Sequence, residues 1–310
     1  MNRGLFVIRI TVPYIRWEKK LIMRENTKKL IRKYDIRLTK SLGQNFLADD
    51  DVVGRIVEAA GITKKDFVIE IGPGLGSMTG KLAAEAGWVT AVEIDKHLIP
   101  ALTDSLKGFL NIEIINKDIM KADFNEILCN MQKDGREYDS LKVVANLPYY
   151  ITTPIIMRLL EENPGIDLLV FMVQKEVAER MAAKPGGKDY GALSVAVQFY
   201  SRPEKLFDVP PHFFIPQPAV DSTVIRLKIL DKPQVELLNK DVFFKTVKAS
   251  FGQRRKTLLN ALFNSQYFIE TKEEIKEMLN KLGIDDNIRG ESLSIMQFAQ
   301  VANAFSARNC

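Results

Sequence analysis

The chain has 310 residues, 46% of them hydrophobic, with 44 Lys+Arg against 39 Asp+Glu and a net charge of +5. That length and apolar content suit two globular domains, and the mild basic excess permits a polyanionic partner without demanding one. Two cysteines, Cys129 and Cys310, exclude a disulfide framework and lack metal-ligand spacing with His97 and His212, so no metal and a reducing cytoplasm are expected; no run is apolar enough to span a membrane.

In chain order, residues 1–23 show no sustained period and read as a basic N-terminal extension, with Met23 an alternative translation start. Basic residues from Arg3 to Lys40 crowd this end, a pattern that fits either a nucleic-acid contact or a solvated tail. A polar, glycine-containing stretch, Ser41 to Leu47, precedes an amphipathic helix expected over Asp50 to Ala60. Gln44 and Asn45 fall in that stretch, where their amides either serve a ligand or cap the helix.

The next stretch organises the chain. Phe67 to Ile71 is an apolar run that ends in Gly72-Pro-Gly74-Leu-Gly76, followed by a helical segment over Ser77 to Ala86. Strand, glycine turn and helix open a βαβ unit in which a ligand approaches the backbone closely. Ser77 stands where a dinucleotide fingerprint needs its third glycine, and glycines also occur in such turns for geometry alone. A second strand, Trp88 to Asp95, brings Glu93 to its carboxyl end, the place where an acid accepts hydrogen bonds from a ribose diol. A third, Ile112 to Asn116, leads to Asp118, which is placed to accept from an adenine amino group. Two acids without a nearby lysine disfavour a pyrophosphate and favour a cationic nucleoside, S-adenosyl-L-methionine being the common one.

A fourth strand, Leu141 to Ala145, opens into Asn146-Leu147-Pro148-Tyr149. Proline offers no N–H and holds its predecessor extended, so the Leu147 carbonyl faces outward as an acceptor beside the Asn146 side-chain oxygen. Two acceptors suit an exocyclic amine with two N–H groups, and the Tyr149 ring offers a face for base stacking. Beyond a fifth strand, Ile166 to Val173, come a helix over Lys175 to Met181 and a basic loop, Lys184 to Gly191, expected to be mobile. Strands at Lys205 to Pro210 and Ser222 to Lys228 flank a proline-rich link bearing Phe213 and Phe214, of which one is expected in the core. Helical periodicity then runs to the end, so a domain boundary is expected at 230/231. The cluster Arg254-Arg255-Lys256 is suited either to gripping phosphates or to a solvated face.

Six segments, 41–47, 70–76, 146–154, 190–195, 213–222 and 253–258, taken in order, closely resemble the ribosomal RNA adenine N6,N6-dimethyltransferases from about residue 27 onward. The Pro-Gly-Leu-Gly loop, Tyr190 to Val195 and the Gln253 to Lys256 turn are most similar to the small-subunit (16S) branch; the large-subunit methylases of macrolide resistance are the alternative. The resemblance implies an α/β, Rossmann-like class I S-adenosylmethionine-dependent methyltransferase with a seven-stranded, mostly parallel sheet over 24–230 and a helical RNA-binding domain over 231–310. It implies donor binding by Gln44, Asn45, Leu47, Gly72, Gly74, Glu93, Asp118 and Asn146. It also implies dimethylation of two adjacent adenosines near the 3′ end of 16S rRNA during late small-subunit biogenesis, by a cytoplasmic monomer without a membrane partner. Catalysis would rest on Asn146, Leu147, Pro148 and Tyr149, with the flipped base between Tyr149 and Phe214. A non-catalytic assembly checkpoint is the rival from another class, and an NAD-linked oxidoreductase a distant third.

Overall fold

A computed structural model describes residues 7–9, 23–37, 43–133 and 135–308. Most of the basic extension, Ser41 and Leu42 of the first motif, and Cys310 lie outside the described residues. The strands are β1 (Val7–Arg9), β2 (Phe46–Leu47), β3 (Asp66–Ile71), β4 (Trp88–Glu93), β5 (Ile112–Asn116), β6 (Ser140–Asn146), β7 (Ile166–Gln174), β8 (Ser201–Val209), β9 (Phe214–Ile215) and β10 (Ser222–Ile229). Eight of them form one sheet in the order β1-β5-β4-β3-β6-β7-β10-β8.

The centre of that sheet, β5-β4-β3-β6-β7, is parallel, and β10 runs antiparallel to β7. Every residue of β3 is buried, as a strand covered on both faces requires, which is why the sequence there is a near-continuous apolar run. The helix Asp50–Ala60 starts at Asp49, whose side chain accepts from the Val52 amide, and stops at the left-handed Gly61. It buries Val52, Val53, Ile56 and Val57 in the main core, each contributing about 1.5–3 kcal/mol of transfer free energy.

The seven expected strands are present, and two departures stand out. Val7–Arg9, within a segment that showed no period, pairs antiparallel with β5 at the sheet edge. A second, two-stranded sheet joins β2 to β9. The chain divides into two compact units, Met1–Ala178 with Glu204–Ile229, and Glu179–Pro203 with Leu230–Cys310. The expected boundary at 230/231 lies next to the division at Ile229/Leu230; what departs from expectation is Glu179–Pro203, assigned from sequence to the first domain, which packs with the helical unit. There Tyr190, Val195 and Phe199 are buried in a core with Phe243, Ile275, Phe298 and Phe305.

Candidate active site

Register brings the site together. Ile71 pairs with Val92 on one side and Ala145 on the other, so Gly72, Glu93 and Asn146 leave the sheet at one height. Successive connections depart in opposite directions from β3, and ligands bind in the crevice that this opens at the carboxyl ends of the strands. A cleft of about 870 Å³, counting the open space at its mouth, lies there. Its walls include Gln44, Asn45, Leu47, Gly72, Gly74, Glu93, Asn146, Leu147, Pro148 and Tyr149, and no Lys, Arg or His among the described residues.

Gly72 and Gly74 both have positive φ, at 67° and 59°. At Gly74 space matters as well, because a Cβ there would lie 3.0 Å from the Phe46 ring. Phe46 and Leu47 are held over the turn by pairing with Ile215 and Phe214, and by the Ala48 amide donating to the Phe213 carbonyl at 2.8 Å. Glu93 is buried; its carboxylate accepts from the Gly74 amide at 3.1 Å and the Asp95 amide at 2.8 Å. Burial pushes its pKa up to about 7, against the pull of those backbone donors. Each carboxylate oxygen has a second lone pair, so Glu93 can hold the turn and still accept from a diol.

Asn146 is oriented without ambiguity. Its Nδ2 donates to the Asn45 carbonyl at 3.0 Å, and since a carbonyl only accepts, the nitrogen must face Asn45 and Oδ1 must be the other end. The Leu147 amide donates to Met172 O at 3.1 Å, and its carbonyl meets no hydrogen-bond donor among the described residues. Pro148 O accepts from Ile151 N and from the Thr152 hydroxyl, which turns the chain into the helix Thr152–Glu162. The Tyr149 hydroxyl is 2.7 Å from the buried Ser222 hydroxyl, which fixes the ring at the wall, and burial raises the phenol's pKa. Gln44 donates to Asp95 Oδ2 at 2.8 Å, tying the first motif to the end of β4.

Two expected residues stand elsewhere. Phe214 is fully buried in the main core and does not line the cleft; its strand partner Leu47 does, so the ring sits one strand away from the place where it was expected to sandwich a base. Asp118 is also outside the lining: it caps the short turn Ile119–Lys121, with Oδ1 accepting from Met120 N at 2.9 Å. It remains just past Asn116, the register partner of Glu93.

Glu70 was not singled out from the sequence. It is fully buried in β3, it lines the cleft, and its Oε2 has no hydrogen-bond partner among the described residues. Burial first, and the neighbouring Glu93 after it, push its pKa up to about 8. A single acid inside the apolar run Phe67 to Ile71 is the available signal. In the helical unit, Arg254 donates to Lys188 O at 2.7 Å and faces Glu291 at 3.3 Å, and Gly186 N donates to Glu291 O at 2.7 Å. The loop expected to be mobile is therefore tied down by one of the three clustered cations, while Arg255 and Lys256 are exposed.

A buried acid with one oxygen lacking a hydrogen-bond partner, a second acid at the strand end and a wall that holds no cation among the described residues fit a positively charged nucleoside donor such as S-adenosyl-L-methionine. The comparisons agree. The model of a family described as ribosomal RNA adenine dimethylase matches residues 36–307. A protein of Alkaliphilus oremlandii named ribosomal RNA small subunit methyltransferase A is 50% identical over 279 residues, covering 90% of this chain and 96% of the relative. Its namesake in Clostridioides difficile is 50% identical over 282 residues, covering 91% and 96%. Among solved structures, a dimethyladenosine transferase from Plasmodium falciparum superposes with a TM-score of 0.70 at 27% identity, covering 84% of this chain and 96% of that one. The 23S rRNA methyltransferase ErmE gives 0.63 at 25% identity, covering 84% and 99%.

Proposed function

Since the chain belongs to the ribosomal RNA adenine dimethylase family, we propose that it uses S-adenosyl-L-methionine to dimethylate N6 of two adjacent adenosines near the 3′ end of 16S rRNA, late in small-subunit biogenesis. The small-subunit branch is favoured over the large-subunit one because the relatives named for the small subunit are 50% identical, against 25% for ErmE. The same proposal has the protein act as a monomer in the cytoplasm, and sedimentation showing a dimer would change it.

The observation that carries the reading is the locked amide of Asn146 beside the Leu147 carbonyl, which meets no donor among the described residues. An adenine N6 lone pair is delocalised into its ring and is a poor nucleophile. Donating both N–H bonds to Asn146 Oδ1 and Leu147 O turns the nitrogen pyramidal and aims its lone pair into the cleft, an orientation effect of the kind that dominates many rates. When bound, the donor supplies a methyl group on a sulfonium, held by Glu93, the Gly72–Gly76 turn and the loop around Asn45. Tyr149, anchored by Ser222, supplies one stacking face for a base taken out of its helix. No strong base is required, because the amine becomes acidic as it is alkylated. A methylation of cytosine C5 would need a cysteine nucleophile, and none lines the cleft among the described residues.

Labelled methyl transfer to unmodified small ribosomal subunits, with naked large-subunit RNA in parallel, tests the assignment. Dimethyladenosine in the small subunit alone supports it; label in the large-subunit RNA moves the chain to the other branch, and no label in either favours a checkpoint role. Arg255 and Lys256 are proposed as phosphate contacts of the helical unit. Replacing each by Ala should reduce the slope of log affinity against log salt by about one. An unchanged slope would remove them from the RNA contact.

A further inference from the structure

Arg158 lies on the helix Thr152–Glu162, which begins directly after the Asn146–Tyr149 turn, and its side chain is only 18% exposed. It reaches the segment that follows β5. Its Nη1 donates to the Ile119 carbonyl and its Nη2 to the Ala122 carbonyl at 2.7 Å. The guanidinium is itself aimed by Glu162, one helical turn on, through Nε to Oε1 at 2.7 Å and Nη2 to Oε2 at 3.1 Å. It also lies 5.1 Å from the Phe124 ring centroid. The two carbonyls bracket the short turn Ile119–Lys121, and the residue capping that turn is Asp118.

We propose that Arg158 is a positioning residue for donor binding: it clamps both ends of the 119–122 turn and so fixes Asp118, from a helix that grows out of the acceptor motif. The inference rests on the reading of Asp118 as the partner of the donor's adenine amino group. The planar fork of arginine suits the task, since it reaches two carbonyls and a bidentate carboxylate at once, whereas a lysine is a single point donor. The helix itself does not depend on Arg158, because Ile155, Ile156, Leu159 and Leu160 bury its inner face. Removing the guanidinium therefore loosens the turn before it loosens the helix.

Calorimetric binding of S-adenosylhomocysteine to the full chain, with steady-state kinetics on small subunits, tests this. Arg158→Ala should weaken binding and raise KM for the methyl donor about tenfold, the scale of one charged hydrogen bond, while kcat at saturating donor stays within about twofold. Arg158→Lys should recover part of the loss, and Asp118→Ala should lose about tenfold. The double variant should be no weaker than Asp118→Ala, because both act through one contact. A normal KM in Arg158→Ala with a lowered melting temperature, or an additive loss in the double variant, overturns the inference. If Asp118→Ala binds normally, the Asp118 reading fails and takes the inference with it; if Asp118→Ala alone is weak, only the inference fails. Should Arg158→Ala not fold, Glu162→Gln releases the guanidinium from its anchor, and a normal donor KM in that variant would overturn the inference equally.

Discussion

In the proposed assignment, the donor side of the cleft is built from acids and the acceptor side from neutral dipoles. On the donor side, Glu70 and Glu93 are both buried with raised pKa values of about 8 and about 7, and the wall around them holds no basic side chain among the described residues. On the acceptor side, the proposed contacts are an amide oxygen, a backbone carbonyl and a tyrosine ring; a hydrogen bond to Asn45 orients the amide and one with Ser222 anchors the ring. The difference follows from the ligands. A cationic donor rewards buried acids that have no counter-ion of their own, whereas the acceptor adenine carries no charge for such acids to attract. It needs acceptors whose direction is fixed.

If that division is right, the two sides separate in kinetics. Asn146→Ala should lower kcat by roughly 10²–10³, the scale of losing one preorganised transition-state contact, with donor affinity changed by about twofold or less. Near-normal turnover in that variant would sink the acceptor assignment. Glu93→Gln should do the reverse, weakening donor binding about 10- to 100-fold through one or two charged hydrogen bonds while leaving kcat at saturation nearly intact. Equal losses in kcat for both variants would erase the distinction.

The division also predicts a pH signature. Glu93 ionises near pH 7 in the donor-free protein, so donor affinity should rise between pH 6 and 8, by at most about tenfold per unit, and kcat at saturating donor should stay flat. Folding stability runs the other way. Because Glu70 is raised from 4.5 to about 8 in the fold, the folded state binds the extra proton; its contribution is complete below about 4.5 and is lost as pH rises through about 8. Melting of the donor-free protein should therefore fall toward pH 9, and Glu70→Gln should flatten that fall. A melting temperature that is independent of pH in both proteins would contradict the buried-acid reading.

Much of this was legible because it repeats locally. The helix Asp50–Ala60 and the strand Ile112–Asn116 coincide with their expected bounds, since each carries a full period of buried residues. Glu93 and Asn146 were readable because a strand end is marked by where its apolar run stops. What was hidden depends on partners distant in sequence. Strands β2 and β9 have two residues each, too few for any period, and only their pairing decides that Phe214 enters the core while Phe213 stays half-buried. The register partner of Val7–Arg9 lies more than a hundred residues away on β5. Nothing around Arg158 announces carbonyls at Ile119 and Ala122. The cluster Arg254-Arg255-Lys256 suits either phosphates or solvent in the sequence because a cluster of cations does not reveal which member the backbone has already claimed.

The smallest effect is the most discriminating for the acceptor side. Tyr149 offers two things: a ring face at the cleft, and a hydroxyl bonded to Ser222 at 2.7 Å that holds the ring in place. Tyr149→Phe keeps the first and removes the second. Deleting one neutral hydrogen bond costs about 0.5–1.5 kcal/mol, and that penalty falls on ring placement rather than on donor binding. The expected result is a loss of about 2- to 10-fold in kcat/KM for the RNA substrate, with unchanged S-adenosylhomocysteine binding. Ser222→Ala should reproduce it, because it breaks the same bond from the other end, and the double variant should be no worse than either single one. Tyr149→Ala removes the stacking face as well and should cost more than Tyr149→Phe by roughly the 1–3 kcal/mol of a base–aromatic stack. If Phe and Ala at this position are equally impaired, the ring is not a stacking platform and the hydroxyl alone matters. Because Phe214 is withdrawn into the core, such a result would leave the flipped base without an aromatic face from either residue, and the stacking part of the mechanism would have to be abandoned.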